Sequence, residues 1–204
     1  VATVEAIIDI GAKPIICNID SSLNMCPKDL KKKITKKTKA IMPVHLTGRV
    51  SEMNEINRIA KKYNIPVVED AAQSIGSKYY NKPTGSLGKV GCFSAHPLKN
   101  LNAIGDGGYL TTNDKKIFKK VIELRNHGMI DRNKIKNFGH VSRLDNLQAA
   151  VLNFRLKNLK KVIEKRRKNF DLYKKFLNKN FVYFPDEKKY QFNTYHTFVV
   201  QVNR

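Results

Sequence analysis

Acidic residues are scarce in this chain: 17 Asp and Glu stand against 39 Lys and Arg, a formal net charge of +22 over 204 residues. A positive field of that size attracts nucleic acid, anionic membranes or phosphorylated ligands. Arginine is scarce too, because thirty of the 39 basic residues are lysine, whereas base readout and bidentate phosphate contacts favour arginine. The basic stretches, 28–39 and 157–189, follow helical surface patterns rather than alternating with aromatics as a strand-binding groove would. These shortages set nucleic acid aside as a partner. A lysine-rich solvated surface that favours polyanionic small molecules remains.

Cysteine occurs only at Cys17, Cys26 and Cys92. Three is an odd number, and the spacing suits no metal, so the expectation is reduced, mostly buried thiols and no metal site. No run approaches the roughly 18 apolar residues of a membrane span, and no charged-then-apolar leader opens the chain. The expectation is a cytoplasmic protein without a membrane partner. Repeats and low-complexity linkers are missing as well. So is an initiating Met, and the chain stops on an alternating apolar run, so both ends read as cuts in a longer protein. What remains has 41% apolar residues, enough for one substantial core and a small second unit.

The informative stretch runs from Val67 to Lys99. Pro66-Val67-Val68-Glu69-Asp70-Ala71-Ala72-Gln73-Ser74 is a buried-strand pattern that stops at two carboxylates. Gly91-Cys92-Phe93-Ser94-Ala95-His96-Pro97-Leu98-Lys99-Asn100 is a second short apolar run, ending in a loop with Ser, His and Lys. Open α/β sheets bind ligands outside the C-terminal ends of their strands, so the two runs point to a shared site. An isolated acid and an isolated amine there match the needs of pyridoxal 5'-phosphate. Its aldehyde condenses with a lysine, its ring withdraws electrons while the pyridine nitrogen stays protonated, and an Asp favours that protonation. The phosphate takes hydroxyl and backbone N–H donors, as Ser94 and its loop offer.

The runs 67–77 and 91–108 resemble the sugar aminotransferases often called the DegT/StrS family, over long and gapless stretches. The resemblance implies an α/β fold: a fold-type I aminotransferase-like large domain with a mainly parallel sheet, plus a long helix leading into a small C-terminal α+β domain. It implies pyridoxal phosphate as cofactor, with Lys99 as its covalent anchor, Asp70 at the pyridine nitrogen, Gln73 beside the ring hydroxyl and Ser94 at the phosphate. It further implies amino transfer from glutamate to a nucleotide-linked keto-sugar, in surface polysaccharide or modified-sugar biosynthesis, by a homodimer with its site at the subunit interface. Family members are nearly twice as long, and the Gly-Thr/Ser-rich segment that cradles the phosphate falls outside this chain. Where the family commonly places a phosphate-contacting Asn from the partner subunit, this chain has Val141, flanked by His140 and Ser142 as possible substitutes.

Along the chain, a short helix is expected over 1–11, a strand over Lys13–Ile19 and a helix over Lys28–Lys37. A buried strand follows over Thr38–Leu46, ending at His45. Ser51 is the expected N-cap of a helix that stops before Pro66. Residues 77–88 read as a hairpin or loop over the site. Gly105-Asp106-Gly107-Gly108 is not a dinucleotide fingerprint, because Leu110 stands where Gly is required and a strand, Tyr109–Thr112, follows. Asp114 caps the next helix, and 129–141 is polar and irregular. From Leu147 apolar residues recur at helical spacing to about Asn178, in a helix that opens near Asp145 and has about 34 residues and a length of about 50 Å. A strand is expected over Tyr195–Val202. The division is therefore 1–144, a partial cofactor-binding domain, and 145–204, a linking helix and the start of a small domain.

His45, His96 and Arg143 are further candidates for substrate contact. A buried structural role competes for His45, and an ion pair with Asp145 competes for Arg143. Two rivals to the transferase reading are a sugar dehydratase of the same family, in which His replaces the lysine, and a non-enzymatic regulator or nucleic-acid binder on the same fold. Lys99 argues against the first.

Overall fold

The computed structural model describes residues 1–202. Its central sheet has three strands in the order β1 (Val68–Asp70), β4 (Val90–Ser94) and β5 (Gly108–Thr111). β1 and β4 run parallel with Asp70 opposite Cys92, and β5 closes the edge antiparallel to β4. Residues 41–45 lie parallel on the other side of β1, through bridges of Ile41 to Val67 and Val44 to Asp70. Thr38–Leu46, expected as a continuous strand, thus pairs correctly but irregularly. Pro43 sits in the middle with no N–H to give, and its carbonyl accepts from the Asp70 N–H at 2.9 Å.

Helices flank this sheet. α1 (Ala2–Asp9) has no buried residue. α2 (Pro27–Lys33) starts on a Pro that fits the first helical turn and ends four residues before the predicted Lys37. α3 (Met53–Lys62) buries Met53, Ile56, Ile59 and Ala60, the stripe its apolar spacing dictates. Glu52, not Ser51, is its N-cap, because the Ser51 hydroxyl is drawn away to the Val44 carbonyl at 2.9 Å. These residues join Leu30, Ile41, Val50, Val67 and Tyr79 in the main core. The strand expected over Lys13–Ile19 is instead extended chain with one bridge, Ile19 to Met25. Ile15 and Ile16 are about 60% exposed (60% and 62%), since among the described residues no strand pairs with them to complete a ladder.

Beyond β1 a small sheet forms from β2 (Lys78–Tyr79), β3 (Lys82–Pro83) and, from far along the chain, β9 (Gln191–Phe192). Asp114 caps α4 (Lys115–Leu124) as expected, accepting from the Lys116 and Ile117 N–H groups. The polar stretch after it contains a hairpin, β6 (Met129–Asp131) with β7 (Lys134–Ile135).

The long C-terminal helix is two helices, α5 (Asn146–Leu156) and α6 (Leu159–Phe176), separated at Lys157-Asn158. Asn is a poor interior helix former and a good first residue. The break also lets each helix serve its own core. Leu152 of α5 packs on Ala95, Leu101 and Ala103 under the Lys99 loop, while Phe170 of α6 packs with Phe184 and stacks on Tyr195 at 3.9 Å between ring centroids. β8 (Val182–Tyr183) pairs with β10 (Gln201–Val202), the one part of the predicted Tyr195–Val202 strand that forms. Residues 193–196 are buried instead, plugged against Gly48, Asn100 and Arg167.

Candidate active site

Strand alternation sets the site. In β1, Glu69 and Asp70 point to opposite faces, and the register places Asp70 beside Cys92 and two residues from Ser94 on the same face. Glu69, on the other face, has no exposed surface. Its carboxylate accepts from the N–H groups of Gly85, Leu87 and Gly88 at 2.8, 2.7 and 2.6 Å and from His45 Nε2 at 3.0 Å. Burial alone would raise its pKa, but the His45 contact and these N–H donors prevail and hold it below the ordinary value.

His45 completes this buried unit and offers no surface to a substrate, being fully buried itself. The Ser51 N–H donates to its Nδ1 at 3.2 Å, so the ring proton sits on Nε2, toward Glu69. The structural role, which competed with substrate contact in the sequence, is the one its surroundings describe.

Asp70 is half-buried at the strand's end. Thr3 of α1 donates its hydroxyl to Oδ2 at 2.6 Å, and the Ala72 N–H donates to Oδ1 at 3.1 Å. Among the described residues no Lys, Arg or His pairs with it, so its charge is oriented but not neutralised. Gln73 is held through its Oε1 by the Thr47 N–H at 2.6 Å, in a turn where Thr47 takes the left-handed conformation at φ 61°. Among the described residues the Gln73 Nε2 donor has no partner. Ser94 Oγ accepts from the His96 N–H at 3.2 Å, and His96 Nδ1 from the Leu98 N–H at 3.2 Å. His96 is therefore exposed but tied into the turn that precedes Lys99.

The Lys99 loop is closed on itself and pinned from below. Ala95 donates to the Gly107 carbonyl at 2.7 Å and accepts from the Ala103 N–H at 2.8 Å, which joins the two ends of the loop. From α5, Arg155 donates to the carbonyls of Asn102 and Ala103 at 2.8 and 3.2 Å, and Gln148 Oε1 accepts from the Ile104 N–H at 2.8 Å. Lys99 is half-buried, and among the described residues its ammonium has no hydrogen bond or ion pair. An amine shielded from water and unpaired is suited to covalent work. His196 lies near it, bonded to Asn100 at 3.4 Å. Burial, with the nearby Lys99 and Arg166 charges, pushes its imidazole down to about 4.

Arg143 is exposed and, among the described residues, forms no ion pair, neither with Asp145 nor with another acid. Val141 is exposed and bridges Asn126. Among the described residues no cluster of three or more His, Cys, Asp or Glu could hold a metal ion, and no helix is long and apolar enough to cross a membrane.

An uncompensated acid and an unpaired shielded amine at one sheet edge fit the pyridine nitrogen and aldehyde of pyridoxal phosphate. Residues 1–204 match the DegT/DnrJ/EryC1/StrS aminotransferase family. The chain belongs to that family. It is 38% identical over 204 residues to the "Pleiotropic regulatory protein" of Geobacillus stearothermophilus, covering 98% of this chain and 55% of the relative. It is 42% identical over 205 residues to the dTDP-3-amino-3,6-dideoxy-alpha-D-galactopyranose transaminase of Aneurinibacillus thermoaerophilus, covering 99% and 56%. It superposes on S. venezuelae DesV, solved in complex with a ketimine intermediate, with a TM-score of 0.94 and 31% identity, covering 100% of this chain and 55% of that one. The chain thus spans about half the length of the relatives it matches.

Four residues around the site gave no signal in the sequence: Thr3, Thr47, Asn100 and His196. Each acts across a long separation, as with Thr3 and Asp70, 67 residues apart, and no local period or motif links such pairs.

Proposed function

We propose that the full-length protein transfers an amino group from glutamate to a nucleotide-linked keto-sugar, using pyridoxal phosphate, in the making of modified or surface sugars. The observation that carries this is the sheet edge where Asp70 stays uncompensated while Lys99 stays unpaired. The cofactor, when bound, supplies an aldehyde and an electron-withdrawing ring. Asp70, oriented by Thr3 and Ala72, holds the ring nitrogen's proton. Gln73 would meet the ring hydroxyl, and Ser94 with its loop N–H groups would take the phosphate. Lys99 would anchor the cofactor and, as a free amine, would take and return the donor's α-proton, and in reverse would serve the sugar.

In this reading the fold is the fold-type I large domain, 1–144, with 145–204 leading into the smaller domain. The protein works as a homodimer, and His96 and Arg143 are the exposed groups left for substrate. Lys99→Ala in the full-length protein is expected to abolish the visible absorbance of bound cofactor and its bleaching by glutamate. Unchanged bleaching in that variant would refute the assignment. A second reading, a regulator on the same fold, is favoured by the name of the Geobacillus relative and by the net charge. A colourless full-length protein that retards DNA at physiological salt would establish it instead.

A further inference from the structure

Asn100 follows Lys99 directly and is 7% exposed. Its Oδ1 accepts from His196 Nδ1 at 3.4 Å, which fixes the amide and turns the Nδ2 donor the other way. That Nδ2 is buried and has no hydrogen-bond partner. Buried amide donors are almost always satisfied, so an orphan on the residue next to Lys99 marks where an acceptor belongs. The surroundings define which acceptor. Arg166 of α6 donates to the His196 carbonyl at 2.7 Å and is half-buried. Among the described residues no carboxylate pairs with it or with Lys99. Burial, with the nearby Lys99 and Arg166 charges, pushes the His196 imidazole down to about 4, so it adds no cation of its own at neutral pH. Asn100 bonds the buried imidazole, Arg166 bonds the same residue's carbonyl, and the Lys99 and Arg166 charges both act on the ring.

We propose that Asn100 and Arg166, held in place by His196, form a subsite for the α-carboxylate of the amino-acid donor. This rests on the reading of Lys99 as the amine that anchors the cofactor. The chemistry of the donor explains the location. Its carboxylate sits on the same carbon as the nitrogen being transferred, so a site that delivers that nitrogen to Lys99's neighbourhood must take the carboxylate within a bond or two. The diphosphate of a nucleotide-sugar is separated from its reacting carbon by a sugar ring and falls elsewhere. Arg166 supplies the charge, Asn100 the directed hydrogen bond, and His196 is a positioning residue that sets the amide's orientation. Fixing the carboxylate also fixes the α-hydrogen relative to the amine that removes it.

The test uses the full-length protein and two probes, succinate as an unreactive carboxylate and UDP as the nucleotide diphosphate, titrated by calorimetry. Asn100→Asp keeps the shape and replaces the free N–H donor with a charge of the wrong sign, while Arg166→Gln removes the cation. Each is expected to weaken succinate binding about 10-fold to 100-fold, as for the loss of one hydrogen bond to a charged group, and to leave UDP within about 2-fold. Glutamate's half-saturating concentration for bleaching the cofactor should rise in parallel, with the starting spectrum unchanged. If Arg166→Gln does not fold, Arg166→Lys, which keeps the charge but not the fork, is expected to lie between it and the parent. Unchanged succinate binding, or a loss of UDP binding instead, overturns the subsite. Should the protein carry no cofactor, the functional reading falls while the succinate titration still decides this one.

Discussion

Glu69 adjoins Asp70 in sequence yet does a different job, because one residue's step along a strand exchanges the solvent-facing side for the core. Three backbone N–H groups and His45 converge on its carboxylate. Removing a buried acid leaves those donors without partners. Glu69→Ala is expected to lower unfolding free energy by about 3 to 5 kcal/mol, measured by urea denaturation at neutral pH. The sign of its pH dependence follows from the depressed pKa. The stabilisation is present above the ordinary value of 4.5 and is lost as pH falls through the lower folded value. Glu69→Gln should therefore show a shallower loss of stability on acidification below pH 4.5 than the parent. An equal slope would mean the carboxylate is not held in this way.

Strand β4 and the turn at residues 85–88 lie closer together than any side chain would permit. A Cβ on Gly91 would stand 2.2 Å from the Cα of Gly85, which itself sits at φ +83°. This approach is what lets the turn's N–H groups reach Glu69 across the strand. Gly91→Ala must push backbone away from backbone, at a cost of about 3 kcal/mol. The expected result is a drop in thermal midpoint together with faster amide exchange at Gly85, Leu87 and Gly88. A variant as stable as the parent would show the turn to be free to retreat. Elements also explain the divided C-terminal helix. Apolar spacing runs on through Lys157-Asn158, but the two halves answer to separate cores, Leu152 under the Lys99 loop and Phe170 among aromatics.

Across the whole molecule the charge of +22 sets a self-repulsion that compact packing must overcome. Among the described residues four of the ten ion pairs are local within one helix, such as Arg58 with Glu55 and Lys160 with Glu164, and exposed pairs of this kind contribute little. Added salt screens the repulsion over a Debye length that shrinks to about 8 Å at physiological ionic strength. The thermal midpoint is expected to rise between low salt and about 0.15 M NaCl, and a fall would indicate that specific ion pairs outweigh the net charge.

The sequence alone determined what short-range rules encode. The two apolar runs stop at Glu69-Asp70 and at Ser94 because a buried strand ends where polar residues take over, and Lys99 lies five residues past Ser94. Asp114 caps its helix because its side chain reaches N–H groups two and three residues on. The apolar stripe of α3 follows from the 3.6-residue turn. Tertiary structure alone decided what depends on partners distant along the chain. Pro14 and the exposed Ile15 and Ile16 read as a strand until, among the described residues, no strand is found beside them. For His45 both a substrate contact and a buried role were open in the sequence, until Ser51 and Glu69 are seen to close over it. The pairing of Asn100 with His196 spans 96 residues. Periodicity fixes which face a residue presents, whereas packing of the whole chain fixes what that face meets.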